Sequence, residues 1–447
     1  MSKSKSISIS ISHEVIANII PAIVVEIMML IYNLADTFFI AQTDDPLQIA
    51  AVSLCTPVFL VLISVGIIFM IGAMSFISRT LGAGQHERAD NIASFCVWSG
   101  IMTGIVLSAV FILIIHKVLH SIGASPATYD FAHDYLTIVM TSVPFAIFSM
   151  TSGGIMRAEN NASGAMKGQI FGNMLNVVLD PIMILYFGMG IKGAAIATAI
   201  SIIAGALYYA NYFVTGRSSL SIHPKHFKIG SGIASGVLYI GIPACLDPFL
   251  MSISQMFVNS MMSLYGDMAL AAAGVAMKIN QIAGLIAMGS GQGVQPLLGF
   301  SVGAEAWERY RVILKFALKF MLSVSLVLTA LCFVFIRQIV SLFLNEPEAF
   351  SYAVDFTRIL LTTSIAFGTF FIFVNALQAM GAGRASLILS VCRQCVIYVP
   401  MMFILNYFIG AYGLIWALPV TEIISLLQTW LIYGKIIFDP RLFSHSE

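Results

Sequence analysis

Long apolar runs follow one another along the whole chain, separated by short polar segments. Twelve of them reach about 20 residues, the length that an α-helix needs to cross a bilayer. The pattern predicts membrane-spanning helices at 15–40, 47–76, 91–115, 132–155, 164–187, 191–214, 233–263, 268–299, 312–336, 352–378, 386–409 and 411–433. We therefore expect an all-α integral membrane protein with twelve transmembrane helices.

Short motifs recur at a nearly constant distance. Ile-Pro-Ala occurs at 20–22 and again at 242–244, and Gly190 recurs as Gly410 at almost the same offset. Six helices per half is an even number, so both halves take the same orientation in the membrane. We predict two pseudo-symmetric six-helix bundles related by an axis along the membrane normal, as in many transporters.

The basic residues fix the expected orientation. Of the 22 Lys and Arg residues, 16 lie on the side of the two termini, three lie on the opposite side and three lie within spans. Because cytoplasmic loops carry the excess of Lys and Arg, both termini are predicted to be cytoplasmic. The expected divisions are a cytoplasmic N-terminus (1–14), an N-lobe (15–214), a cytoplasmic linker (215–232), a C-lobe (233–433) and a cytoplasmic C-terminus (434–447).

Composition narrows the class further. Only 10% of residues are charged, against about 25% in soluble proteins, which leaves no room for a large soluble domain. The net charge of +1 argues against binding of nucleic acid. The eight histidines form no HExxH pattern or paired ligand spacing, so we do not expect an enzyme.

Polar residues deep in apolar helices are the candidates for function. Asn173, Asn176 and Asp180 are spaced by three and four residues, so they share one face of the fifth helix. With a helical rise of about 1.5 Å per residue, Asp36 of the first helix, Asp180 and Thr198 of the sixth all lie roughly 5–12 Å below the outer surface. Placing a carboxylate at this depth in a membrane costs free energy, so such residues usually mark the path of an ion or substrate.

The chemistry suited to this group is the binding of a proton or Na⁺. Two carboxylates in a low dielectric cannot both stay charged cheaply, and hard cations prefer oxygen ligands. The predicted coupling residues are Asp36, Asn176, Asp180 and Thr198, with no other cofactor. Asn176 could instead bond a neighbouring helix, and Thr198 could be a packing residue.

Other polar positions are candidates for a substrate cavity: Asn33, Asn173, Asp247, Lys278, Asn280 and Gln281. Lys278 and Asp247 could form a structural ion pair or a polar wall of the cavity. Pro21 interrupts the hydrogen bonds of the first helix, so it is either a hinge or a static kink.

Several stretches together carry a resemblance to a known family: LADTFFIA, AVSLCTPVF, ISRTLGA, LNVVLDPIMILYFGMGIKGAAIATAIS, GIPA and QGVQPLLGFSVGA. The chain resembles the multidrug and toxic compound extrusion (MATE) family, in particular its bacterial MepA-like branch. The resemblance implies two six-helix lobes and export of organic cations in exchange for protons or Na⁺. Family members with an acidic N-lobe bind the coupling ion at residues that match Asp36, Asn176, Asp180 and Thr198.

Members that couple through the C-lobe use a glutamate in the seventh helix and an aspartate in the tenth. This chain offers Asp247 in the seventh helix and only Asp355 near the start of the tenth, so the N-lobe route is favoured.

The expectation is a monomeric antiporter of the bacterial inner membrane, which takes small organic cations or drugs and contacts membrane lipid. The alternative is a flippase for lipid-linked saccharides of the same broader fold. Such flippases tend to carry a cationic cavity, whereas the charges within the first half here are mainly acidic. A major-facilitator transporter is disfavoured because the loop after the second helix lacks a G-x-x-x-D-R-x-G-R pattern. The natural substrate and the choice between proton and Na⁺ stay open.

Overall fold

The structure is a computed structural model that describes residues 2–43, 45–122, 124–344 and 346–444. Within these ranges the regular elements are all helical. The first half contains α1 (Ser2–Ala41), α2 (Pro46–Gly82), α3 (His86–Ser121), α4 (Tyr129–Ala158), α5 (Ala162–Pro181) and α6 (Gly190–Val214). The second half contains α7 (Ile233–Met262), α8 (Asp267–Gly303), α9 (Trp307–Val334), α10 (Ile336–Ser341), α11 (Pro347–Leu361), α12 (Ser364–Met380), α13 (Gly383–Val391), α14 (Val399–Ile409), α15 (Ala411–Phe438) and α16 (Arg441–Ser444). Short 3-10 turns occupy Pro224–His226 and Ser263–Tyr265.

The predicted all-α membrane fold is confirmed. Over the described ranges, eleven helical segments are long and apolar enough to cross a membrane, and a bent pair supplies a twelfth. The bent pair, α11 and α12, corresponds to the tenth predicted span and turns by 44°. The span predicted at 352–378 is therefore present, but its helix is broken at Thr362 and Thr363. At the bend, the hydroxyls of Thr362 and Ser364 donate to the carbonyls of Ile359 and Leu361, which helps to satisfy groups left at the helix ends.

Two other spans contain π-helical segments. One is Ile182–Tyr186, directly after α5, and the other is Cys392–Tyr398, between α13 and α14. The first directly follows Pro181, and the second ends two residues before Pro400. A proline has no backbone N–H to donate, so the regular α-helical ladder is interrupted there. π segments of this kind often coincide with functional sites.

The chain packs as two compact units. A continuous unit spans Val24–Cys245, and a split unit joins Met1–Ile23 to Leu246–Glu447. The boundaries of the predicted lobes concern the membrane topology, and they stay a prediction.

The continuous unit is built around close contact between α2 and α4. At Gly154 of α4, an added Cβ would lie 2.5 Å from the carbonyl oxygen of Met70, so only glycine allows this approach. A second core in the same unit joins α2, α3 and α4 through buried residues such as Cys55, Leu119 and Met140.

The split unit has a core to which the start of the chain contributes. Ile11, Val15 and Ile19 of α1 are buried in one cluster with residues of α8, α9 and α12, including Leu298 and Tyr310. Glu14 and Arg309 form an ion pair in the same unit, with Nη2 to Oε1 at 2.7 Å. The part of α1 from Ile11 to Ile19 therefore packs with the second half of the chain.

Candidate functional site

The polar face of α5 is buried in the continuous unit. Asp180 is fully buried and Asn176, one turn earlier, is 1% exposed. Nδ2 of Asn176 donates to the hydroxyl of Thr198 on α6 at 3.4 Å, which is long for a hydrogen bond. Thr198 is itself buried. Three of the four predicted coupling residues thus lie together at the α5–α6 contact.

Two tyrosines link this group to the first helix. The phenol of Tyr32 on α1 lies close to Thr198 and interacts electrostatically with Asp36 and Asp180. Tyr135 on α4 is also within electrostatic reach of both carboxylates, and the two carboxylates interact with each other. The structure therefore brings Asp36 to the same place. We call this set the polar cluster: Tyr32, Asp36, Tyr135, Asn176, Asp180 and Thr198.

The polar cluster has acceptor oxygens that the protein leaves unbonded. Four buried oxygens have no hydrogen-bond donor in the described part of the chain: Oδ1 of Asp36, Oδ1 of Asn176, and both oxygens of Asp180. Buried acceptors are normally paired, and an unpaired one costs about 1–3 kcal/mol. A proton or a hard cation such as Na⁺ would satisfy them. The same described residues contain no group of three or more His, Cys, Asp or Glu that could hold a metal ion.

The turn after Asp180 is held by specific contacts. Gly190 begins α6 with φ of 54°, a conformation that favours glycine. Oε1 of Gln48 on α2 accepts the backbone N–H of Ile191 at 2.8 Å and so caps the start of α6. An added Cβ at Gly193 would lie 2.7 Å from the carbonyl of Met183, within the π segment. This close packing fixes α6, and with it Thr198, against the segment that follows Asp180.

Comparison with known proteins identifies the family. The MatE family model matches residues 21–182 and again residues 243–404. The chain belongs to the MatE family. The second match is offset from the first by the same distance as the repeated Ile-Pro-Ala motif, as the sequence repeats predicted. The predicted membership of the multidrug and toxic compound extrusion family is thereby confirmed.

Relatives and solved structures of MatE proteins cover nearly the whole chain. "Multidrug export protein MepA" of Staphylococcus haemolyticus is 29% identical over 93% of this chain and 92% of its own length. The protein of the same name from Staphylococcus aureus strain MSSA476 is 30% identical, over 92% of this chain and 91% of its own. A solved outward-facing multidrug resistance MATE family transporter of the MOP superfamily matches with a TM-score of 0.91 at 25% identity, covering 96% of each chain.

Other predicted residues of this MatE chain are more dispersed. Asn33 is exposed and its Nδ2 donates to the carbonyl of Met29 at 2.8 Å. Asn173 is half-buried on α5, and its Nδ2 has no hydrogen-bond acceptor in the described residues. On α8, Lys278 and Gln281 are exposed and Asn280 is half-buried. Pro21 is buried in α1. Their predicted roles stay predictions.

The proposed ion pair between Lys278 and Asp247 is not formed. Within the described ranges, no carboxylate oxygen lies within 4.0 Å of the Lys278 ammonium. Asp247 instead lies 3.7 Å from Arg393, which also pairs with Glu422 at 2.8 Å. The physical reason is that Arg393 is buried and needs a nearby counter-charge, whereas exposed Lys278 does not.

Sequence reasoning missed both tyrosines of the polar cluster. A signal for Tyr32 was present, because it lies four residues before Asp36 and so shares its helix face. Tyr135 gave no comparable signal, since aromatic residues are common in apolar helices and its helix carries no buried carboxylate nearby in sequence. The pairing of Arg393 with Glu422 was also not predicted.

Proposed function

We propose that this MatE chain exports organic cations across the bacterial inner membrane in exchange for protons or Na⁺, by alternating access. Its membership of the family and the export function named for its MepA relatives support multidrug efflux. Both termini would be cytoplasmic, as the placement of Lys and Arg indicates. The activity is transport and not catalysis, in line with the names of those relatives.

The observation that carries the coupling part of the proposal is the set of unbonded buried oxygens in the polar cluster. Asp36 and Asp180 are buried and interact electrostatically with each other. Two negative charges in such a place repel, so a bound proton or cation would lower the free energy of the polar cluster. Binding of a proton or Na⁺ would neutralise part of this charge. Asn176 and Thr198 would supply neutral oxygens to the same ion.

The conformational effect of ion binding would be transmitted to the rest of the molecule through α1. Asp36 lies near the end of α1, and this helix passes from the split unit to the continuous unit between Ile23 and Val24. Pro21, two residues earlier, removes one helical hydrogen bond and so gives a place to bend. We propose that a bend at Pro21 couples the charge state of Asp36 to opening of the cavity. Asn173 of α5 would face that cavity.

A direct test uses everted membrane vesicles and a fluorescent organic cation. Wild-type vesicles are expected to accumulate the cation when the vesicle interior is acidic or loaded with Na⁺, because the coupling ion leaves as the cation enters. The gradient that drives accumulation identifies the coupling ion. Asp36→Asn removes one carboxylate at nearly constant volume, so gradient-driven accumulation should fall to background. Wild-type-like accumulation by this variant would refute coupling through the polar cluster.

Asp130→Asn is the matched control, because Asp130 is an exposed carboxylate on α4 outside the polar cluster. It should accumulate the cation at the wild-type rate. Both variants are quantified in the membrane fraction, which separates lost coupling from lost expression. Deletion of the gene addresses the flippase alternative: loss of surface polysaccharide with unchanged dye efflux would decide for a flippase.

A further inference from the structure

The split unit carries two lysines on the outward face of α9. Lys315 and Lys319 are exposed and lie one turn apart. Ala317 and Met321 of the same helix are fully buried in the core. At about 100° per residue, the middle of the lysine pair lies roughly 160° around the helix from the middle of the buried pair. The helix therefore turns both lysines away from the core.

Beyond the lysines, the same face of α9 is apolar. Leu322 is 39% exposed and Leu326 is 59% exposed. They continue the row of the two lysines, because residues four apart lie on one helix face. Since α9 is long and apolar enough to cross a membrane, an exposed apolar face of this helix contacts lipid chains. The lysines thus lie where the lipid-facing side of α9 changes from basic to apolar.

Lys315 and Lys319 have no counter-charge in the part of the chain that the structure describes. No carboxylate oxygen there lies within 4.0 Å of either ammonium group. The arginines of the first turns of α9 differ in this respect. Arg309 pairs with a carboxylate of α1 at 2.7 Å, and Arg311 pairs with Asp439 at 3.1 Å. The helix therefore uses its first two basic residues within the protein and presents the next two to the membrane.

The internal repeat gives each lysine a counterpart in the continuous unit. α9 begins 221 residues after α3, and each of these helices has a glutamate as its second residue. At the same offset, Ser94 of α3 is the counterpart of Lys315. Trp98 is likewise the counterpart of Lys319.

Both counterparts are covered by the segment between α6 and α7. The hydroxyl of Ser94 donates to the carbonyl of His223 at 3.0 Å. The indole N–H of Trp98 donates to the carbonyl of Ile222, also at 3.0 Å. Acceptor oxygens of the chain thus occupy this place on α3. The corresponding place on α9 is basic and exposed, so it is open to an acceptor from outside the protein.

The geometry of α9 directs both ammonium groups towards the membrane surface. The Cα–Cβ bonds of an α-helix tilt towards its N-terminus, so both lysines point back to the start of α9. Trp307 lies at that start, and tryptophan is enriched at membrane–water interfaces. Lys315 and Lys319 follow it by about 12 and 18 Å along the helix axis. Their aliphatic stems can lie along lipid chains while the ammonium groups reach the headgroups.

We propose that Lys315 and Lys319 bind the phosphate of an anionic phospholipid, in the leaflet where α9 begins. The two ammonium groups belong to residues about 6 Å apart along the helix axis. An anionic headgroup such as that of phosphatidylglycerol supplies the missing negative charge and the missing acceptor oxygens. A zwitterionic headgroup brings its own cation and leaves the charge of the site uncompensated. Leu322 and Leu326 contact the acyl chains of the same lipid.

Native mass spectrometry of the full-length protein tests this site. Delipidated protein in detergent is titrated with phosphatidylglycerol or with phosphatidylcholine of the same acyl chains, and the affinity for the first bound lipid is measured. Wild type should prefer phosphatidylglycerol. The double variant Lys315→Gln with Lys319→Gln should bind phosphatidylglycerol about 25-fold more weakly, about fivefold for each lysine, and phosphatidylcholine unchanged. Lys315→Arg with Lys319→Arg should keep the preference, which shows that the charge and not the lysine side chain itself is needed.

The matched control is Lys167→Gln with Lys225→Gln, which removes the same charge from two exposed lysines of the continuous unit. It should keep the wild-type preference. An equal loss in this control would overturn the site, because binding would then follow net charge alone. Equal affinity of wild type for the two lipids would also overturn it, as would a preference that survives Lys315→Gln with Lys319→Gln. Removal of residues 445–447 should leave the affinity unchanged, and a rise would identify the end of the chain as the occupant instead.

Discussion

Replacement of Arg393 by methionine is the perturbation with the most clearly defined structural consequence. Methionine keeps an unbranched side chain of comparable length between Phe367 and Phe370, but it removes the charge. Glu422 then loses both of its hydrogen-bond donors, and Asp247 loses its only neighbouring cation within 4.0 Å in the described residues. Two carboxylates that interact with each other are left without a counter-charge.

The geometry predicts unequal losses of folding free energy for substitutions of Arg393, Glu422 and Asp247. Arg393→Met should cost about 3–5 kcal/mol of folding free energy, the range for breaking a buried ion pair from one side. Glu422→Gln should cost less, about 1.5–3 kcal/mol, because the guanidinium keeps Asp247 as a counter-charge at 3.7 Å and only its charged hydrogen bonds are weakened. Asp247→Asn breaks no hydrogen bond and should cost about 0–1 kcal/mol. The double variant Arg393→Met with Glu422→Gln should recover much of the loss of the single arginine variant.

The order can be measured as melting temperature of the purified protein in detergent, followed by intrinsic fluorescence. Expected melting temperatures rise from Arg393→Met through Glu422→Gln to Asp247→Asn, which should be close to wild type. Arg358→Met removes a half-exposed arginine that pairs with Asp355, and it should change little. The reasoning is refuted if Glu422→Gln melts below Arg393→Met, or if the double variant is as unstable as the sum of the two single variants.

Two further predictions concern the continuous unit. Gly193→Ala places a Cβ 2.7 Å from the backbone of Met183, so we expect a loss of about 1–3 kcal/mol of folding free energy and slower vesicle transport. The control is Gly205→Ala on the same helix, whose added Cβ has its nearest atoms at 3.9 Å and which should remain active. Equal behaviour of the two glycine variants in melting and transport assays would contradict the packing argument. Thr198→Val removes the hydroxyl next to Asn176 and should weaken activation of transport by the coupling ion, while Thr198→Ser should preserve it. If valine lowers only the melting temperature and leaves the ion dependence unchanged, Thr198 is a packing residue.

Much of the fold could be predicted because the information is local. The length of an apolar run determines whether a helix can cross a membrane, and all twelve predicted spans have a counterpart in the structure. The break at Thr362 and Thr363 could not be predicted in the same way. The segment contains no Gly or Pro there, and threonines occur in many uninterrupted membrane helices.

The part of the candidate site that could be predicted is the depth of its residues in the membrane. The constant rise of an α-helix placed Asp36, Asp180 and Thr198 at one level, and the structure brings them together. Partner choice in the split unit depends instead on how each helix is rotated about its axis. The sequence pointed to Lys278 as the partner of Asp247, whereas the packed helices place Arg393 beside it.

The contribution of α1 to the split unit has a consequence for biosynthesis. Ile11, Val15 and Ile19 leave the ribosome long before Leu298 and Tyr310, with which they share a hydrophobic core. Glu14 can pair with Arg309 only after another 295 residues have been synthesised. Contacts between such distant segments form late, because the intervening chain must first be made and inserted. Residues 11–19 are thus synthesised long before their native neighbours, and a deletion among them is expected to impair the assembly of the second half of the chain.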